Sequence, residues 1–403
     1  MGTIKKEQVG MHCILTALYF LMLPLTIWTN EYGASLLKLL TIPIGGYFLI
    51  SFIFYKKEFQ INMVHLLLLF YTISTLLTLF VDRSANSVEF VIGYFLNAAI
   101  YICISIVSYN EREMKLLEDV QVVLLIILTA SVLYNNTIVH NRTTLAVFGQ
   151  VSDPNYFVGY FIFPIVVVMK KIVEKEHIIF NTVLMGASMY VIFQTGSRGG
   201  FAAVLVTLVA FSLIYPKKIK TKLLLLVGGS VFIALIWIAL SPTFSREVIE
   251  RMTINAVVES QGTHRFEIWE SALKEIKNSS WELIFGRGID ATHKMVVGGV
   301  EQSAVMHNHF IQVIYNQGVL GFLIFFTLTG AAFVRCIKKR ETVAIAILGM
   351  LALAVSLSFN QTTRTFWNLI AYAAIAFPKE VKETDEDKLK EGEVFSENEY
   401  GNE

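Results

Sequence analysis

Four short segments hold residues whose types and spacing could do chemistry. Thr195-Gly196-Ser197-Arg198-Gly199-Gly200 joins two apolar runs. Its glycines let backbone approach a ligand, and free N–H groups at the start of the following run favour an anion beside Arg198. Thr263-His264-Arg265-Phe266-Glu267-Ile268-Trp269 begins a helical pattern, with Thr263 as its N-cap. Arg265 and Trp269, four apart, share one face, so this guanidinium needs either a loop carboxylate or an anionic ligand. His307-Asn308-His309-Phe310 stands where a long loop enters another apolar run, followed by Gly318 and Gly321. Two histidines two apart diverge on a helix and are not a metal pair, but either could exchange a proton near pH 7. Ser152-Asp153-Pro154-Asn155 reads first as an ordinary helix start, with a substrate contact as the lesser alternative. No outer loop pairs two carboxylates at a spacing that would hold a divalent metal against a diphosphate, so arginine must neutralise any anion bound there.

The elements that position these residues follow from composition. The chain has 403 residues, 55% hydrophobic and 16% charged, with mean hydropathy +0.59. A soluble surface cannot absorb that much apolar sequence, which excludes an ordinary soluble enzyme, a disordered chain and a nucleic-acid-binding module. Twelve apolar runs approach the length of a membrane-crossing helix, near 11–29, 34–55, 61–81, 88–109, 116–134, 156–173, 178–195, 201–215, 223–240, 308–334, 343–359 and 365–377. The expectation is an all-α integral membrane protein of about 12 transmembrane helices.

Lys and Arg set its orientation. With both termini cytoplasmic, every inside segment is basic (Lys56, Lys57, Lys170, Lys171, Lys217 and Lys218 among others), whereas the short outside loops hold Arg83, Arg142, Arg198 and Arg364 and no lysine. The polytopic domain then covers 1–378, with one long extracytoplasmic loop at 241–307 carrying a short amphipathic helix from Arg265 to Lys277. Residues 379–403, with ten acidic and four basic side chains, read as a disordered cytoplasmic tail. Cys13, Cys103 and Cys336 all lie in or at the ends of apolar runs, and no disulfide is expected. His65, early in the third run, reads as packed rather than functional. No paired acids and bases stand at mid-membrane, as a proton-coupled transporter tends to have.

The Gly-Ser-Arg-Gly-Gly turn at 196–200, Arg265 with Trp269, Gly286-Arg287-Gly288, and His307-Asn308 followed by Gly318 and Gly321 resemble the bacterial O-antigen ligase and polysaccharide polymerase family, best over 149–326. The resemblance implies a metal-independent, cofactor-free, inverting glycosyltransferase in the plasma (inner) membrane. Its donor would be an undecaprenyl-diphosphate-linked glycan, passed to a glycan acceptor at the outer face. Arg198 and Arg265 match the arginines that would hold the diphosphate, and His307 the histidine that would act on the acceptor hydroxyl. Gly199, Asn308 and His309 are expected as further substrate contacts. Gly318 and Gly321 are expected on one helix face, packed against another span. Membrane lipids, a chain-length regulator and a repeat-unit flippase are the other implied partners, with no nucleic acid. Within the family a polymerase making capsule, exopolysaccharide or O-antigen is favoured. A ligase moving a finished glycan to a terminal acceptor comes second, and a transporter of lipid-linked sugars third.

Overall fold

The computed structural model describes residues 9–28, 35–55, 59–135, 137–139, 141–253, 265–289, 293–297, 300–304, 306–359 and 364–376. Thr263, expected as an N-cap, and the tail at 379–403 lie outside the described residues. Each of the twelve apolar runs contains a helix: α1 (Met11–Leu21), α2 (Leu36–Tyr55), α3 (Met63–Leu77), α4 (Ala85–Ser105), α5 (Glu111–Asn135), α7 (Ile162–Val173, after the short α6, Pro154–Val158), α8 (Ile178–Gln194), α9 (Arg198–Ile214), α10 (Ile219–Leu240), α14 (His309–Cys336), α15 (Glu341–Ala354) and α16 (Arg364–Ala374). Among the described residues, six helical segments are long and apolar enough to cross a membrane: Met63–Phe80, Asn86–Ser105, Glu111–Asn135, Pro154–Val173, Ile219–Thr243 and His309–Cys336. Helices α1, α8, α9, α15 and α16 are shorter.

The loop before α14 carries α11 (Arg246–Arg251), α12 (Arg265–Lys277) and α13 (Ser280–Phe285). Among the described residues, three antiparallel two-stranded ribbons accompany the helices. They are β1 (Thr137–Val139) with β2 (Arg142–Thr144), β3 (Ala146–Val147) with β4 (Gln150–Val151), and β5 (His293–Val297) with β6 (Val300–Ala304). They fall in the polar connections, where chain leaving the bilayer has no helical partner for its backbone groups.

Helices α7, α15 and α16 form the centre. Ile165 to Val168, Val343 to Ile347 and Phe366 to Ala374 are almost wholly buried, with α15 packed on α9, α7 and α14. By contrast α10 buries none of its residues fully, as a uniformly apolar helix at the rim would. His65 is packed as expected: its Nδ1 accepts from the Asn62 N–H at 3.1 Å, and its Nε2 lies 3.0 Å from Ser105 Oγ.

The expectation for Gly318 is corrected. It does not form a small-residue face for a neighbouring span. Its backbone is left-handed (φ 69°, ψ −173°) and breaks α14 into two segments. The break exposes carbonyls to the Gly286-Arg287-Gly288 turn. The Arg287 N–H donates to the Tyr315 carbonyl at 2.9 Å and the Gly288 N–H to the Asn316 carbonyl at 3.1 Å. Gly286 (φ 77°) and Gly318 meet backbone to backbone. A Cβ on Gly286 would overlap the Asn316 carbonyl, and one on Gly318 the Ile284 carbonyl. Gly321 is no helix-contact residue either, since a Cβ there would meet the Gln317 side chain. Gly318→Ala is therefore expected to destabilise by more than the ~1–2 kcal/mol of a left-handed alanine, because the loop turn must also move. A lowered thermal midpoint of the detergent-solubilised protein, with lost activity, is the result to look for. An unchanged midpoint would contradict this account of the break.

Candidate active site

The start of α9 forms because Ser197 caps it, accepting from the Gly200 N–H at 3.1 Å. The preceding turn is held from across the bundle. Arg142, only 8% exposed, donates from Nε to the Thr195 carbonyl at 2.6 Å and from Nη2 to Asn155 Oδ1 at 3.0 Å. The same amide oxygen accepts from Ser197 Oγ at 2.8 Å. Asp153, the expected helix starter, caps α6 by accepting from the Asn155 N–H at 2.7 Å. Thus β2, α6 and the 195–197 turn are tied at one point, and Arg198 projects from it.

The loop helices bring two further guanidiniums. Val248 of α11 lies against Gly196, and Arg251 donates from Nε to the Gly196 carbonyl at 3.4 Å. Arg265 opens α12 and donates from Nη1 to the Ser356 carbonyl at 3.1 Å, while its buried Nε has no hydrogen-bond partner among the described residues. Gly199 packs on the same Ser356, whose side chain any Cβ at 199 would overlap. Ser356, just after α15, is therefore where the Arg198 turn and the Arg265 helix converge.

Trp269 fixes α12 to the histidine segment by donating from Nε1 to the Met306 carbonyl at 2.7 Å. Ala272, Ile276, Met306 and Tyr315 form a small separate core beneath it. This confirms the apolar face read from the helical spacing.

His307 sits in a left-handed conformation (φ 48°), one of the few residue types that tolerates it. Its buried Nδ1 has no hydrogen-bond partner among the described residues. Asn308 caps α14, accepting from the Ile311 N–H at 3.1 Å. His309 turns inward: it is 1% exposed, lies 4.7 Å from the Phe325 ring, and accepts at Nδ1 from the Phe359 N–H at 3.1 Å. The contacts of Asn308 and His309 are thus within the fold.

The electrostatics are those of clustered like charges. Burial, then the neighbouring Arg251, pushes the Arg142 guanidinium down to about 10, so it stays charged at neutral pH. Burial, then Arg198 and Arg251, does the same in direction for Arg265. His307 is held below the ordinary histidine value first by burial, then by the Arg265 charge, with Asp153 pulling the other way. Among the described residues, Arg142, Arg251 and Arg265 make no ion pair; carbonyl and amide oxygens are their partners.

The structure therefore brings Arg198, Arg265, Gly199 and His307 together and places Asn308 and His309 behind them. Arg142, Arg251 and Ser356 were not singled out from the sequence as site residues, and Asn155 was read first as part of a helix start. A lone arginine in a short polar strand carries no periodic signal, and Arg251 reads as the end of an ordinary surface helix.

A four-guanidinium patch beside a neutral imidazole can hold a polyanionic leaving group and take a proton from an attacking hydroxyl. No curated protein matches the chain. The O-antigen ligase family model matches residues 181–326, from α8 through the helix break, and takes in Arg198, Arg251, Arg265, Gly286-Arg287-Gly288, His307 and Gly318. Over that segment the chain is similar to the O-antigen ligases.

Proposed function

We propose that the protein polymerises lipid-linked oligosaccharide repeat units into a cell-surface polysaccharide. The donor is a glycan on undecaprenyl diphosphate, and the reaction runs at the outer face of the plasma membrane. The observation that carries this reading is the convergence of Arg198, Arg251 and Arg265 on the Ser356 end of the bundle, with His307 beside them. Fixed cations there favour the transition state, because negative charge grows on the diphosphate as the glycosidic bond breaks.

In the proposed step the acceptor hydroxyl oxygen attacks the anomeric carbon from the face opposite the diphosphate. The new C–O bond forms as the bond to the diphosphate oxygen breaks, and that oxygen keeps the electron pair. The hydroxyl proton passes to neutral His307. One displacement inverts the anomeric centre, and the guanidiniums supply positive charge where a metal otherwise would. Arg142 is a positioning residue, because its donors are committed to the Thr195 carbonyl and Asn155.

The test is the glycan ladder of a deletion strain. A polymerase loss leaves single repeat units on the final acceptor. Accumulation of long lipid-linked chains would mean a ligase instead. Loss of surface glycan with lipid-linked units trapped inside would mean a transporter.

A further inference from the structure

The helical hairpin before α14 packs against the break in that helix. Gln317, the residue before the break, donates from Nε2 to the Tyr71 hydroxyl and to Thr75 Oγ1, each at 3.3 Å, and accepts from Ser74 Oγ. The break is therefore level with Tyr71 to Thr75 on α3. From there α3 and its last turn stay apolar and exposed through Leu76, Leu77 and Phe80 before the first acid, Asp82. The turn climbs from the break to that acid, since a Cβ on Gly288 would meet the Asp82 side chain. Because the Ile284 carbonyl and Phe285 lie against Gly318, the C-terminal end of α13 sits level with the break.

The segment is built for it. Backbone groups of irregular chain at membrane depth must be satisfied by protein. Here the Gly286, Arg287 and Gly288 N–H groups donate to the Glu282, Tyr315 and Asn316 carbonyls, and the Ile289 carbonyl accepts from Asn316 Nδ2 at 2.6 Å. The Arg287 charge is paired with Glu275 and Glu282. On the other side, Trp281 is 59% and Ile284 47% exposed, with Leu283 between them. Leu320, Leu323 and Phe326 of α14, on which α13 packs, and Leu76, Leu77 and Phe80 of α3 are exposed as well. Both helices belong to segments able to span a membrane.

We propose that α13 is a membrane-seated element of the loop, with Trp281, Leu283 and Ile284 in contact with lipid acyl chains of the leaflet on the site side. The occupant follows from continuity: α13 packs on α14, a helix long and apolar enough to cross a membrane, and both present exposed apolar side chains. A tryptophan at the headgroup boundary with aliphatic residues beside it suits that position. The seat has a use in the proposed reaction. It anchors α12 and hence Arg265 at the level where a lipid-linked diphosphate arrives sideways.

The experiment uses the full chain in lipid nanodiscs and the fluorescence difference between wild type and Trp281→Phe, which isolates Trp281 from the other four tryptophans. Lipids brominated at mid-chain should quench that difference signal more than aqueous iodide does. Stronger quenching by iodide would overturn the proposal by putting Trp281 in water. Resistance to both would overturn it too, because protein, such as a second copy of the chain, would then cover the face. Ile284→Cys carrying an environment-sensitive dye repeats the comparison if the tryptophan variant is poorly folded.

Discussion

Arg265→Ala is expected to abolish polymer formation, falling by at least the ~10²–10³-fold that one donor to a developing oxyanion is worth. The protein should still insert and fold. The packing of α12 rests on Trp269, Ala272 and Ile276 rather than on Arg265, and Arg265 contributes one hydrogen bond, to Ser356. Removing it also relieves repulsion with Arg198 and Arg251, so a gain in thermal stability alongside lost activity is the expected pair of results. Arg265→Lys should restore little. An ammonium keeps the charge but loses the planar fork that spans two phosphate oxygens. The measurements are product formation with a lipid-linked donor and binding of inorganic pyrophosphate to the purified protein. If lysine works as well as arginine, charge alone suffices and two-pronged recognition is wrong.

His307→Ala is expected to lower turnover by about 10²–10⁴-fold, the usual worth of general-base help, while pyrophosphate binding survives. His307 has a left-handed backbone, so alanine adds strain of its own. His307→Asn is the matched control, since asparagine also tolerates this conformation but is no base. The pH profile gives a sharper reading. The proton acceptor must be neutral, and burial and Arg265 hold His307 below its ordinary value. The acidic limb of kcat/KM therefore belongs below the 6.5 of a free imidazole. Arg265→Gln removes one depressing influence, so in its residual activity that limb should move to higher pH. A limb that stays put would mean another group sets it. His309→Ala, by contrast, deprives the Phe359 N–H of its acceptor inside the core and should reduce stability rather than chemistry. Loss of pyrophosphate binding in His307→Ala would assign that residue to the anion site instead.

Much of the fold was legible because a bilayer makes each helix announce itself as one apolar run. The helix of the loop was legible for the same kind of reason: Trp269, Ala272 and Ile276 recur at helical spacing and do form its buried face. Two things were not legible. The role of Gly318 depends on its φ, and a glycine in an apolar run reads equally as a packing notch or a break; only the partner turn at 286–288, some thirty residues earlier, decides between them. Arg142 and Arg251 enter the site through single contacts across the fold, with the Thr195 and Gly196 carbonyls. No spacing rule connects residues 50 apart, so sequence alone gave no reason to prefer them over other polar-loop arginines.

The meeting of Gly286 with Gly318 has a consequence for biogenesis. The turn is made before its receptor: residues 286–288 leave the ribosome earlier than Tyr315 and Asn316, whose carbonyls they bind. Until α14 has been inserted, the turn's N–H groups have no native acceptor, and α12 has no Tyr315 to pack on. The loop cannot mature as an independent unit, and a soluble fragment of it should fail to adopt this structure. Assembly of the active centre is thereby coupled to completion of the helix that follows it, so a chain stalled before α14 carries Arg198 and Arg265 without joining them into a working enzyme.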